Sequence, residues 1–229
     1  MQASSVTSLR DDTFSAVRLS ARDVILQRDG KPIARLPDIS LSARQAIALT
    51  GASGSGKTTA LLALAGIHPP RSGDVRIDGV DPWTFTAAQR DRLRGRSIGM
   101  VFQTFHLIDA VSVETNLMLA ASVVGLRPNL AYISSVIDAL DIAAIRRRRP
   151  DQLSQGQAQR VAVARALVNC PAVVIADEPT SALDDGNARS LLRLLADVVR
   201  SSDAALLVAT HDHRVLDQIE HHCAMAAAP

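Results

Sequence analysis

Short apolar runs punctuate the chain and alternate with longer segments of helical spacing. The runs at Val17–Ser20, Ala46–Thr50, Val75–Ile77, Ile98–Phe102, Ala172–Ala176 and Ala205–Thr210 predict strands. Helical spacing covers Lys57–Ala65, Val113–Val124, Ala131–Leu140, Gln157–Asn169 and Asn187–Arg200. Ser112 is a natural N-cap, and Glu114 follows in the first turn, where the helix dipole favours an acid. Strands alternating with helices predict an α/β fold with a mainly parallel sheet. From about Thr104 to Gln152 the pattern holds helices without strong strand signals. That stretch reads as a helical insertion into one domain spanning residues 1–229.

Composition narrows the class. The 229 residues are 47% hydrophobic and 21% charged, enough for a sizeable core. A formal net charge of +2 does not call for a nucleic-acid partner, and none is expected. The two cysteines, Cys170 and Cys223, read as free thiols of a reducing compartment. The N-terminus carries Asp11 and Asp12 where a signal peptide would be apolar. The most apolar stretches, Ala60–Ala65 and Leu117–Leu126, fall short of the roughly 18 residues that span a bilayer. A cytoplasmic protein is expected, with any membrane attachment made through a partner.

The sharpest chemical signal is GASGSGKTT at 51–59, between the strand AIALT and the helix TTALLALA. Gly51, Gly56, Lys57 and Thr58 match the phosphate-loop spacing in its required context. Gly51, Ser53, Gly54, Ser55 and Gly56 let the backbone curl so that successive N–H groups face a phosphate chain, and Thr59 continues into the helix. The helix N-terminus adds its positive end, Lys57 reaches the β and γ phosphates, and Thr58 offers a hydroxyl to Mg²⁺. A second signal is VVIADE at 173–178, an apolar strand ending in two acids. In phosphate-loop nucleotidases the first acid at such an end supports Mg²⁺, which assigns Asp177. Glu178 is then placed to take a proton from attacking water.

LSQGQ at 153–157 is ambiguous by itself, either an ordinary helix start or half of a nucleotide site. Its neighbours resolve it. GASGSGKTT, VFQ at 101–103, LSQGQ, VVIADEP at 173–179, SALD at 181–184 and THD at 210–212 occur in the order of an ABC ATPase, which the chain resembles from about Val17 to about Asp217. The resemblance implies a phosphate-loop core, an antiparallel β subdomain and an inserted helical subdomain at about 104–152. It also implies a head-to-tail pair of ATPase subunits, a homodimer in the simplest case, sandwiching ATP and Mg²⁺ and driving a separate transmembrane permease. Matched by motif, Gln103 senses Mg²⁺ and the γ-phosphate and couples to the permease. Ser154, Gly156 and Gln157 form the signature that reaches ATP in the opposite subunit. Asp184 belongs to the loop that communicates across the pair, and His211 is the switch histidine.

The chain departs from the family pattern in three places. Gln155 replaces the usual first glycine of the signature, and predicts a working but slowed site. The family's base-stacking aromatic is missing from RDVILQRDG, which offers Val24, Ile25 and Leu26, so weak discrimination between ATP and GTP is expected. The terminal HRVLDQIEHHCAMAAAP lacks a clear last strand, which predicts a poorly supported edge near His211.

The segment IGMVFQTFHLIDAVSVETNLMLAA and the RPDQLS before the signature resemble the lipoprotein-releasing and macrolide-efflux branch. That branch works with permeases bearing large extracytoplasmic domains, often beside a periplasmic adaptor. It implies a peripheral position on the cytoplasmic face of the inner membrane. An ATPase regulating an envelope process through a permease-like partner that moves nothing is the alternative. A soluble ABC protein of translation or repair would carry two ATPase domains or long heptads, and neither is present. Arg146–Arg149 and the arginines at 90, 92, 94 and 96 read as solvated faces. Trp83 and Phe85 read as packing residues. The histidines at 211, 213, 221 and 222 with Cys223 lack the spacing of a closed zinc site.

Overall fold

The structure is a computed structural model, and it describes residues 16–181 and 183–227. Asp11 and Asp12, and Ala182 of the SALD motif, lie outside the described residues.

Two sheets share the sequence. The first is antiparallel and built around a long strand β1 (Val17–Arg28). Strands β2 (Lys31–Arg35) and β3 (Ile39–Ser42) pair successively along one edge of β1, and β5 (Ser72–Ile77) pairs along the other. The inward face of β1 changes parity, from Leu19 and Ala21 to Val24 and Leu26. A period-2 element can do this only by inserting a residue. Register against β5 shifts between Arg22 and Ile25, and Asp23 takes φ 51°. The break in alternation is why sequence pattern places a strand only at Val17–Ser20. Gly73 faces the bulge, and a Cβ there would lie 2.5 Å from the Asp23 carbonyl oxygen.

The second sheet is parallel, in the order β6 (Ile98–Val101), β7 (Val173–Asp177), β8 (Ala205–Thr210), β4 (Ala46–Thr50), β9 (His221–Ala224). Every residue of β7 and β8 is buried, because helices or the first sheet cover both faces. One face carries α1 (Lys57–Leu64) and the antiparallel sheet, so Leu61 and Leu64 pack with Leu19, Leu41, Ile175 and Leu207. The other carries α3 (Val113–Ser122), α4 (Leu130–Ala139), α5 (Gln155–Leu167) and α6 (Asp185–Ser201), where Leu117, Ile137 and Leu195 meet Val174 and Val208. Each such leucine withdrawn from water contributes about 2 kcal/mol. Between β6 and α5 lie helices and turns but no strand among the described residues. Helix α2 (Ala87–Ser97) precedes β6, starts on a Thr86–Gln89 capping box, and carries the alternating arginines on an unburied surface. Arg90 lies 4.8 Å over the Trp83 ring.

Two expectations are corrected. The C-terminal edge is supported: β9 pairs in parallel with β4 from Ile47↔His221 to Thr50↔Ala224, and the Met225 N–H donates to the Thr50 carbonyl at 2.8 Å. A further strand β10 (Ala226–Ala227) joins β2. Backbone pairing holds this edge, and HHCA carries no apolar period that sequence pattern could detect. The arginine run is also not simply solvated. Arg146 pairs with Glu114, and the carbonyls of Arg146 and Arg148 accept the first N–H groups of α3.

Candidate functional site

The functional side chains gather where the parallel strands end at their C-termini, the place where an open α/β sheet leaves a crevice. Strand β8 separates β4, which feeds the phosphate loop, from β7, which ends in the acids. The loop begins at Gly51, where a Cβ would come within 2.5 Å of Ser55 Oγ. It closes on Gly56 at φ 93°, a left-handed N-cap with no side-chain cap, so the first N–H groups of α1 point out of the loop. Met225 backs the loop from below, 3.2 Å from where a Gly51 Cβ would sit.

Lys57 is buried at 7% exposure, and its ammonium donates to the carbonyls of Gly51 at 2.8 Å and Ala52 at 3.2 Å. The same Nζ stands 3.5 Å from Glu178 Oε1. Thr58 Oγ1 donates to Asp177 Oδ2 at 2.8 Å, across two strands. Burial pushes the Asp177 carboxyl up; the Thr58 bond opposes this, Glu178 adds to the rise, and Lys57 lowers it. Asp177 Oδ1 and Ser55 Oγ are buried with no hydrogen-bond partner among the described residues. A buried orphan carboxylate oxygen beside a threonine hydroxyl is the hard-oxygen pair that a divalent cation takes. The residues therefore fit Mg²⁺.

Glu178 is held on three sides. Its backbone takes φ 46°, its Oε2 accepts from Thr210 Oγ1 at 3.2 Å, and its Oε1 lies 2.7 Å from His211 Nδ1. The fixed carboxylate faces a cleft of about 950 Å³. Ser53, Gly54, Gly56, Lys57, Thr58, Thr59, Gln103, Asp177, Glu178 and His211 all line that cleft. Gly51 and Ser55 shape the loop from within. Sequence missed Thr210 in this constellation, although it stands inside the THD motif.

Ser154, Gly156, Gln157 and Asp184 do not line the cleft. Ser154 is the N-cap of α5, accepting from the Gln157 N–H at 3.3 Å, while Gln157 Oε1 accepts from the Ser154 N–H at 3.0 Å. The Ser154 hydroxyl and the Gln157 amide are thus engaged in a capping box. Gln155 is the first helical residue and exposed. Asp184 caps α6, and the Asn187 N–H at 2.9 Å leads the bonds that hold its carboxyl below the usual range.

Three long-range ties connect these parts, none visible from local pattern. Gln159 donates to the Pro179 carbonyl, which joins α5 to the loop after Glu178. Arg165 donates to the carbonyls of His106 and, at 2.8 Å, Phe105, which joins α5 to the segment after Gln103. Arg214 bridges Asp212 at 2.6 Å and Asp185 at 2.7 Å, while Thr180 Oγ1 donates to Asp212 at 2.6 Å. The Arg214 bonds, with smaller help from Thr180, hold the Asp212 carboxyl down at about 2. No helix among the described residues is long and apolar enough to cross a membrane.

A glycine loop that turns its N–H groups toward a fixed lysine, with two acids at a neighbouring strand end, makes this a phosphate-loop nucleotidase. Residues 36–181 match the ABC transporter family, and the chain belongs to that family as an ATP-binding, ATP-hydrolysing subunit. A lipoprotein-releasing system ATP-binding protein of Bordetella pertussis is 38% identical over 208 residues, 88% of this chain and 89% of the relative. A methionine import ATP-binding protein of Burkholderia mallei is 40% identical over 189 residues, 81% of this chain but 48% of the relative. Among solved structures, the dimeric ATP-binding cassette MJ0796 in a post-hydrolysis state with ADP and Pi superposes with a TM-score of 0.79 at 27% identity. That match covers 90% of this chain and 94% of the cassette.

Proposed function

We propose that the chain drives a lipoprotein-releasing or efflux-type permease, working as a head-to-tail pair on the cytoplasmic face of the inner membrane. The observation that carries this reading is the separation of the machinery. Lys57, Thr58, Asp177, Glu178, Gln103 and His211 line one cleft, whereas Ser154, Gly156, Gln157 and Asp184 do not. In a head-to-tail pair the exposed start of α5 meets the opposite cleft and presents its N–H groups to the γ-phosphate. The dimeric form of the MJ0796 cassette supports the pairing. The near-complete match with the lipoprotein-releasing relative, against half of the methionine import relative, supports the branch.

In this reading Lys57 and the α1 N-terminus bind the phosphates, and Glu178 orients and deprotonates the attacking water. His211, hydrogen-bonded to Glu178, stands beside the γ-phosphate end. Thr58, Asp177 and Gln103 would hold Mg²⁺, which would neutralise phosphate charge. The permease seats in a groove of about 830 Å³ lined by Gly95, Phe102, His106, Val123 and Arg165. Val123 is 82% exposed there, an apolar side chain that a docked helix would cover.

The test is recovery of the tagged chain from gently solubilised native membranes, with partners identified by mass. A multi-span permease with a large extracytoplasmic domain is expected, and disruption of the complex by Val123→Asp would place it on this groove. Recovery of soluble partners alone overturns the permease assignment.

A further inference from the structure

The phosphate end of the cleft is fixed, so the base of a bound nucleotide must occupy the opposite end, and here the chain departs from its sequence-based expectation. Val24 and Leu26 are wholly buried in the core beneath β1 and cannot touch a base. The far end is formed instead by the β1–β2 hairpin, with Gln27, Arg28, Asp29, Gly30 and Ile33, and by His68 and Pro69 after α1. Among the described residues, no phenylalanine, tyrosine or tryptophan lines the cleft.

The hairpin is rigid. Asp29 at φ 50° and Gly30 at φ 75° close its two-residue turn. Gln27 Nε2 donates to the Pro69 carbonyl at 3.3 Å, and Arg71 donates to the Gly30 carbonyl at 3.2 Å, so the hairpin is pinned to the segment after α1. These bonds commit the Gln27 amide. Ile33 lies over the loop, 3.6 Å from where a Gly56 Cβ would sit, as an apolar floor beside the phosphates.

Arg28 differs from its neighbours. It is exposed and lines the cleft, and its side chain has no hydrogen bond or ion pair among the described residues. Directly across the hairpin stands Lys31, a like charge whose opposition is unfavourable. A cation so placed gains from a ligand that covers it with an aromatic face or negative charge, which offsets the lost hydration. Guanidinium is planar, delocalised and weakly hydrated, and stacks on aromatic faces, which an ammonium does less well. The phosphates already have Lys57 and the α1 N-terminus, so the remaining ligand surface at this end is the flat base.

We propose that the Arg28 guanidinium is the platform on which the nucleobase stacks, taking the place of an aromatic ring. This rests on the nucleotide-binding role of the cleft. A platform reads the face of a base and not its edge, so ATP and GTP bind alike, and the smaller pyrimidine faces of UTP and CTP bind less tightly.

Equilibrium titrations of the full chain with the Mg²⁺ complexes of ATP, GTP, UTP and inorganic tripolyphosphate test this. Arg28→Ala is expected to weaken ATP and GTP about tenfold and to leave tripolyphosphate within about twofold. Arg28→Tyr restores purine affinity, while Arg28→Lys behaves like the alanine variant because charge without a plane does not stack. Unchanged affinity in Arg28→Lys, a parallel loss of tripolyphosphate binding, or no loss for ATP in Arg28→Ala each overturns the platform. Failure of the underlying nucleotide role looks different: the parent chain would then bind none of the four ligands.

Discussion

The cleft and the start of α5 solve opposite problems with similar parts. Both place a helix N-terminus and a hydroxyl where a phosphate could lie. In the cleft, however, Thr58 and Glu178 are oriented by groups from distant elements: Thr58 by Asp177, and Glu178 by Thr210, His211 and Lys57. At α5 the ordering is local, a capping box between residues three apart. The cleft gathers the phosphate loop and the two acids within one chain, whereas the start of α5 lines no part of it. Binding and turnover should therefore separate under mutation.

The strongest break falls on the cleft. Glu178→Gln keeps the shape and the Thr210 contact but removes the base, and is expected to lower hydrolysis by roughly 10²–10⁴-fold. ATP affinity should be retained, so an ATP-bound pair accumulates, visible by light scattering alongside phosphate release. Hydrolysis within tenfold of the parent would remove Glu178 from the chemistry. Next in size is Ser154→Ala, which deletes the α5 cap at about 1 kcal/mol and the hydroxyl that the proposed pairing turns to the opposite γ-phosphate. Turnover should drop about tenfold, while ATP affinity of the isolated chain stays unchanged. An equal fall in both quantities would erase the distinction between the two regions.

The link between them sets a smaller, pH-dependent effect. Asp212 is held down at about 2 mainly by Arg214, which also reaches Asp185 at the start of α6. A carboxyl depressed in the folded state stabilises above its unfolded value of about 4, and that stability is lost as pH falls from there through about 2. Asp212→Asn should flatten the acid limb of thermal stability between about pH 4 and 2. Near neutrality it should cost about 1–2 kcal/mol, because Arg214 and Thr180 lose a charged acceptor. An acid limb identical to the parent's would show that the Arg214 bridge does not support the fold.

Much of this was legible in the sequence because the cleft is made of short motifs whose chemistry is local. GASGSGKTT carries its own loop geometry, and the runs at Ala46–Thr50 and Ala205–Thr210 coincide with β4 and β8 because both faces of a parallel strand are apolar. What was missed depends on partners far along the chain. β1 hid behind the bulge at Asp23, and β9 is held by backbone pairing to β4. Arg165 and Arg214 find their acceptors 59 and 29 residues away. Of Val24, Ile25 and Leu26, the apolar residues that the segment offers to a base, the parity change in β1 turns Val24 and Leu26 into the core.

The finest test of the comparison is Gln155. It is the first residue of α5, exposed, and its neighbours Ser154 and Gln157 close the cap without it. Restoring glycine there removes a side chain from the surface that the proposed pairing turns to the opposite subunit, at a helix-propensity cost below about 1 kcal/mol. If that side chain only crowds the approach, Gln155→Gly should speed turnover by about threefold or less, roughly 0.7 kcal/mol in the barrier, with single-chain ATP affinity unchanged. Equal turnover would mean that the pair forms around Gln155 without strain. A slower variant would instead make Gln155 a contributor to the interface, and the departure from the family pattern would then be an adaptation of this chain's own pairing surface.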